Sequence, residues 1–86
     1  MIIRRTAKFK KQYKKLPAKI QRQFDTRVRL FIINPADPQL NVHYLKGKCR
    51  GYWSMNVTGD FRALYKKRGE EVILFGLIGT HSQLYG

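Results

Sequence analysis

Acidic side chains are scarce in this chain: 5 Asp and Glu stand against 18 Lys and Arg, for a formal net charge of +13. With so few carboxylates, no cluster along the sequence is suited to holding Mg²⁺. Cysteine is rarer still. Cys49 is alone, so no internal disulfide can form and the reducing cytoplasm is the expected compartment. Two histidines and one cysteine without close ligand spacing argue against a structural zinc site, and no metal or other cofactor is expected. No apolar run approaches the roughly 20 residues that a membrane span needs. The opening Met-Ile-Ile-Arg-Arg has no signal-peptide apolar region, so no membrane partner is expected. There is no Gly-rich phosphate loop, no Gly-x-Ser-x-Gly, no internal repeat and no low-complexity tract. The 86 residues are expected to form one small domain, 1–86.

What is present begins with the charge itself. A chain with a pI near 10.4 is suited to a polyanion, either nucleic acid or an acidic protein segment. The apolar residues, 43% of the chain, are patterned. Trp53, Met55 and Val57 alternate with Tyr52, Ser54 and Asn56, the period-two signature of a half-buried strand. Phe61, Ala63 and Tyr65 alternate with Arg62, Leu64 and Lys66 in the same way, and Val72 to Ile78 is apolar almost throughout, as a central strand is. Breaks at Thr58-Gly59-Asp60 and Arg68-Gly69 carry the glycines of tight hairpins, so the C-terminal half reads as an antiparallel meander. Pairing Val57 with Phe61 sets Asn56 opposite Arg62. One face is then apolar, while the other holds Tyr52, Ser54, Asn56 and Arg62. That second face is either a site or simply a wetted surface.

Upstream, Ile2 and Ile3 read as a short edge strand and Thr6 as a helix N-cap. Phe9, Tyr13 and Leu16 have helical spacing among five lysines; after Pro17, so do Ile20, Phe24, Val28, Phe31 and Ile32, up to Asn34-Pro35. The prediction is α+β: β-α-α-β-β-β, a two-helix hairpin packed on an antiparallel sheet, with Val42 to Leu45 as a further short strand. The connector before Gly51 gathers His43, Lys46, Lys48 and Arg50 directly ahead of Tyr52 and Trp53. Cations interleaved with aromatics grip single-stranded RNA, neutralising phosphates and stacking bases.

The proton-transfer candidates are His43, His81 and Asp60, with Arg62 as a fixed cation and Tyr85 among the phenols. These suit metal-free RNA cleavage. The 2′-OH loses a proton as it attacks phosphorus, a cation meets the charge growing on the phosphoryl oxygens, and the departing 5′-oxygen is protonated. Imidazole performs either proton task near neutral pH. Each residue also has a structural reading: His43 packed in a connector, His81 fixing the terminal turn, Asp60 a turn residue, Tyr85 an anchor.

Leu45-Lys46-Gly47, Gly51-Tyr52-Trp53-Ser54, Asp60-Phe61-Arg62-Ala63-Leu64-Tyr65 and Gly79-Thr80-His81-Ser82-Gln83-Leu84-Tyr85, in that order, resemble the RelE/ParE superfamily of bacterial toxins. The resemblance is greatest to YafQ-like mRNA interferases, with YoeB-like features in Gly-Tyr-Trp-Ser, and it spans essentially the whole chain. It implies a toxin of a type II toxin–antitoxin system, acting as a ribosome-dependent endoribonuclease on mRNA. It also implies an acidic antitoxin as partner, in a hetero-oligomer. The family's active-site histidine ahead of the Leu-x-Gly element falls on His43, its strand aspartate on Asp60 and its phosphate-holding arginine on Arg62. The terminal histidine falls on His81 and the final aromatic on Tyr85; Lys46, Lys48, Arg50, Tyr52 and Asn56 are expected to meet RNA. One departure stands out: the family usually carries a histidine four residues before the aspartate, and here that position is Asn56, which cannot shuttle a proton. A ParE-like gyrase inhibitor and a catalytically attenuated basic nucleic-acid-binding module are the alternative readings.

Overall fold

Thr6 marks the first change of direction. Its backbone is extended (φ −72°, ψ 162°) and its hydroxyl accepts the Phe9 N–H at 3.1 Å, ending strand β1 (Ile2–Arg5) and starting helix α1 (Ala7–Lys14). The computed structural model describes residues 1–85. Pro17, φ −55°, then stands at the N-cap of α2 (Ala18–Ile33), one position earlier than a first-turn proline. Its carbonyl accepts the Ile20 and Gln21 amides at 2.9 and 3.1 Å. A connector follows, holding the two-residue strand β2 (His43–Tyr44) and a 3₁₀ turn at Gly47–Cys49. Strands β3 (Trp53–Asn56), β4 (Phe61–Arg68) and β5 (Val72–Thr80) and a short helix α3 (His81–Tyr85) complete the chain.

The sheet runs β1-β5-β4-β3-β2. The meander is antiparallel in the expected register: Val57 N–H donates to Phe61 O at 3.0 Å, and Asn56 is paired with Arg62. The edge strand differs. β1 lies parallel to β5, Ile2 beside Val72, so the sheet is mixed rather than purely antiparallel. Parallel neighbours need a crossover, and the helical layer between them supplies it. Direction is invisible in a four-residue edge strand.

The inner face of the sheet meets the helices through aromatic side chains. Phe9 of α1 and Phe24 and Phe31 of α2 pack on Tyr65 and Phe75, all 3% exposed or less. Phe24 meets Phe75 edge-on at 5.2 Å, and Phe31 meets Tyr65 at 5.2 Å, geometries that favour ring quadrupoles. The α2 stripe ends at Phe31. Ile32, expected in the stripe, is half exposed, because one residue turns about 100° around a helix and leaves the packed side.

β5 carries an extra residue. Leu64 pairs with Leu77 but Tyr65 pairs with Phe75, so Gly76 is a bulge. A Cβ there would come within 3.2 Å of the Tyr52 ring, which is why glycine suits the position. The outer face is not simply open: Ser54 and Leu64 are fully buried on it.

Candidate active site

A capping box builds one wall. Thr80 Oγ1 accepts the Gln83 N–H at 3.2 Å and Gln83 Oε1 accepts the Thr80 N–H at 2.8 Å, the reciprocal pair that starts a helix. A side chain at Gly79 would collide with Gln83 Oε1, at 2.8 Å. α3 begins at His81, whose backbone N–H donates to Asp60 O at 3.1 Å, tying it to the β3–β4 hairpin. Its imidazole meets the Tyr85 ring edge-on at 4.6 Å. The Tyr85 hydroxyl donates to Ser54 Oγ at 3.3 Å, and the Cys49 thiol makes a weak contact with Leu84 O at 3.8 Å. α3 is thereby laid back across the outer face.

β2 builds the facing wall. Asn41 takes a left-handed turn, φ 45°, a conformation that asparagine tolerates. Its carbonyl lies 2.8 Å from His43 Nδ1. A carbonyl only accepts, so Nδ1 must be the donor, and in the neutral ring Nε2 is then the free acceptor, as a base requires. Between the walls stands Arg62 of β4. Its Nη1 donates to Thr58 O, Gly59 O and Phe61 O at 2.9, 3.2 and 3.1 Å, folding the guanidinium against the hairpin.

Asn41, His43, Leu45, Arg62, His81 and Tyr85 line one cavity of about 380 Å³. A second, of about 200 Å³, is lined by Leu45, Lys46, Lys48, Cys49 and Tyr85, so Leu45 and Tyr85 border both. Four of the five residues expected to carry chemistry therefore share a cavity, and Lys46 and Lys48 flank it. Asp60 does not line it; it is exposed at the hairpin tip and contributes its backbone carbonyl. Arg50 and Tyr52 line neither cavity. Tyr52 lies over Gly76, with Lys66 Nζ 4.7 Å from its ring centre, so its ring is already engaged with protein. Asn56, paired with Arg62 across the β3–β4 ladder, also lines neither cavity, and its Oδ1 is buried without a hydrogen-bond partner. Among the described residues no three His, Cys, Asp or Glu side chains gather as a metal site. The larger cavity of about 450 Å³, lined by Met1, Phe31, Val42, Tyr65 and Ile73 among others, is mainly apolar and contains none of these groups.

Sequence reasoning misses Asn41 and Gln83 and, while it places Ser54 on the outer face, misses its burial beneath Tyr85. The Thr80-x-x-Gln83 spacing is a readable signal for Gln83. Asn41 acts on His43 only two residues away, but through a left-handed turn that the sequence does not announce, and Ser54 meets Tyr85 from 31 residues away.

Residues 1–86 match a family model described as "Bacterial toxin of type II toxin-antitoxin system, YafQ". No curated protein sequence matches the chain. Among solved structures, YafQ from E. coli strain BL21(DE3) is similar with a TM-score of 0.81 at 24% identity, covering 98% of this chain and 97% of that one. A YoeB/ParE toxin from Agrobacterium tumefaciens follows at 0.76 and 21%, covering 94% and 99%. RelE in the RelB–RelE antitoxin–toxin complex from Methanococcus jannaschii gives 0.74 and 17%, covering 95% and 94%.

Proposed function

The chain belongs to the YafQ family of bacterial toxins of type II toxin–antitoxin systems, and on that premise we propose that it is a ribosome-dependent mRNA endoribonuclease. The observation that carries this reading is the convergence of His43, Arg62 and His81 on one cavity. His43 Nε2 takes the proton of the 2′-OH as the 2′-oxygen attacks phosphorus. Arg62 leaves the hairpin carbonyls and meets the negative charge on the phosphoryl oxygens. As the bond from phosphorus to the 5′-oxygen breaks, protonated His81 gives that oxygen its proton. The products are a 2′,3′-cyclic phosphate and a 5′-hydroxyl. The side chains supply the proton transfers and the charge themselves, so the step is metal-free in this reading. Tyr85 positions His81 and borders the RNA path, along which Lys46 and Lys48 neutralise flanking phosphates.

The neutralising partner in this reading is an acidic antitoxin. The net charge of +13 favours it, and the methanococcal RelE relative was solved with its RelB antitoxin. The test is to incubate the protein with ribosomes programmed with a defined mRNA and to map the new ends. Cleavage giving 2′,3′-cyclic phosphate ends is expected. Arg62→Ala should lower the rate about a hundredfold, on the order of 3 kcal/mol. Full cleavage by a His43→Ala, His81→Ala double variant would overturn the assignment.

A further inference from the structure

Asn56 and Arg62 are cross-strand partners on the outer face, yet no hydrogen bond joins their side chains. Each is left incomplete in a complementary way. Asn56 Oδ1 is a buried acceptor with no donor, an arrangement that folded proteins rarely leave standing. Its backbone N–H is used, donating to Leu40 O at 2.7 Å, so the side chain sits on a backbone fixed from both sides. Arg62 has the reverse condition. Only Nη1 is engaged, and Nε and Nη2 have no acceptor among the described residues.

The place where Arg62 rests is easily vacated. Phe61 O already accepts the Val57 and Thr58 amides, at 3.0 and 3.2 Å, and stays satisfied without the guanidinium. Gly59 is exposed and Thr58 partly so, which lets water replace the arginine at their carbonyls. Directly opposed side chains on one face of an antiparallel pair have Cβ atoms about 4.5–5.5 Å apart, so a rotamer change brings the guanidinium to Oδ1.

We propose that Asn56 is a positioning residue for Arg62: when a phosphodiester enters the cavity, the guanidinium leaves the hairpin carbonyls, donates one N–H to Asn56 Oδ1 and turns its remaining donors to the phosphate. This rests on the nuclease reading of the same site and changes one part of it, since Asn56 then acts through Arg62 instead of gripping RNA. A carbonyl oxygen is the wrong partner for a phosphate but the right one for a guanidinium. The arrangement suits a reaction in which charge grows on the phosphoryl oxygens, because an arginine held by a second partner keeps its fork aimed without reorganising.

The test is a double-mutant cycle on cleavage, with Arg nitrogen NMR beside it. Asn56→Ala should slow the chemical step about tenfold, the effect of losing one hydrogen bond to a charged group, with KM little changed. Asn56→Asp, which keeps an acceptor, should restore most of the rate. In an Arg62→Ala background, Asn56→Ala should cost nothing further. Additive losses, or a loss confined to KM, would overturn the proposal and return Asn56 to direct RNA contact. The NMR arm needs no turnover. Adding a 2′-O-methyl RNA trinucleotide, which cannot be cleaved, should shift the Arg62 Nε–H signal and slow its exchange in the wild type but not in Asn56→Ala. An unchanged Arg62 signal in the wild type overturns the positioning role. A shifted signal in a protein that cleaves nothing leaves that role standing and removes the nuclease reading.

Discussion

The two faces of the sheet are built from the same strands by opposite means. On β4, Ala63 and Tyr65 point inward to a continuous core, while Arg62 and Leu64 are on the outer face, where Arg62 lines the cavity. The inner face is redundant: Phe75 alone meets Phe9, Phe24, Phe31 and Tyr65, with ring centres 5.2 to 6.4 Å away. The outer face hangs on single contacts, among them Tyr85 to Ser54, Cys49 to Leu84 and the His81 amide to Asp60, and it leaves Asn56 Oδ1 unsatisfied. Stability is concentrated where apolar area is buried, and the candidate site stands where polar groups are incompletely paired. Neighbouring residues on one strand therefore answer to different demands.

The sharpest way to break this contrast is Phe75→Ala. Emptying a fully buried aromatic site should cost about 3–5 kcal/mol, a large share of what a domain this small possesses. The melting temperature should fall by on the order of 20 °C, read by circular dichroism, at 4–8 °C per kcal/mol. A small shift would mean that the inner face is not where stability resides.

A second test uses pH. Burial pushes the Tyr65 hydroxyl from its ordinary value of 10.0 up to about 12. Tyrosine loses its proton more readily in the unfolded chain, so the contribution is complete below pH 10 and is lost as pH rises through the folded value. Tyr65→Phe removes this slope. The stability difference between Tyr65→Phe and wild type should therefore move in favour of the variant by about 2 kcal/mol between pH 9 and 12. Lysine titration is common to both proteins and cancels in the difference. A difference independent of pH would show that Tyr65 ionises as freely as an exposed phenol.

The same contrast explains what was legible in the sequence. The alternation through Trp53–Val57 and Phe61–Tyr65, with a glycine-bearing break between, is enough to set Asn56 opposite Arg62, because a period of two leaves only one register that buries the apolar set. His43, Arg62, His81 and Tyr85, picked out in the sequence by the resemblance, line one cavity. The parallel pairing of β1 escapes, since two isoleucines at an edge carry no directional signal. So does the burial of Leu40 and Ser54, whose covers arrive from elsewhere in the chain. Tyr52 looks free beside Lys48 and Arg50 in sequence, but the Gly76 bulge opens a seat for its ring. Asp60 matches the family motif, yet its side chain lies outside the cavity, because a hairpin tip projects beyond the sheet.

The smallest expected effects separate the partners of one outer-face hydrogen bond. Tyr85 donates to Ser54 Oγ at 3.3 Å, but the two residues differ in exposure: Ser54 is fully buried and Tyr85 is only partly so. Ser54→Ala leaves a tyrosine hydroxyl that can turn to water, and should cost about 0.5 kcal/mol. Tyr85→Phe leaves a buried serine hydroxyl without its partner, and should cost about 1–2 kcal/mol, since an unmade buried bond is worse than a missing one. The double variant removes both polar groups, so it should be more stable than Tyr85→Phe alone, a non-additivity that thermal melts resolve. All three shifts should stay well below that of Phe75→Ala. If Tyr85→Phe instead unfolds the protein as Phe75→Ala does, α3 belongs to the stabilising core and the division between the two faces fails.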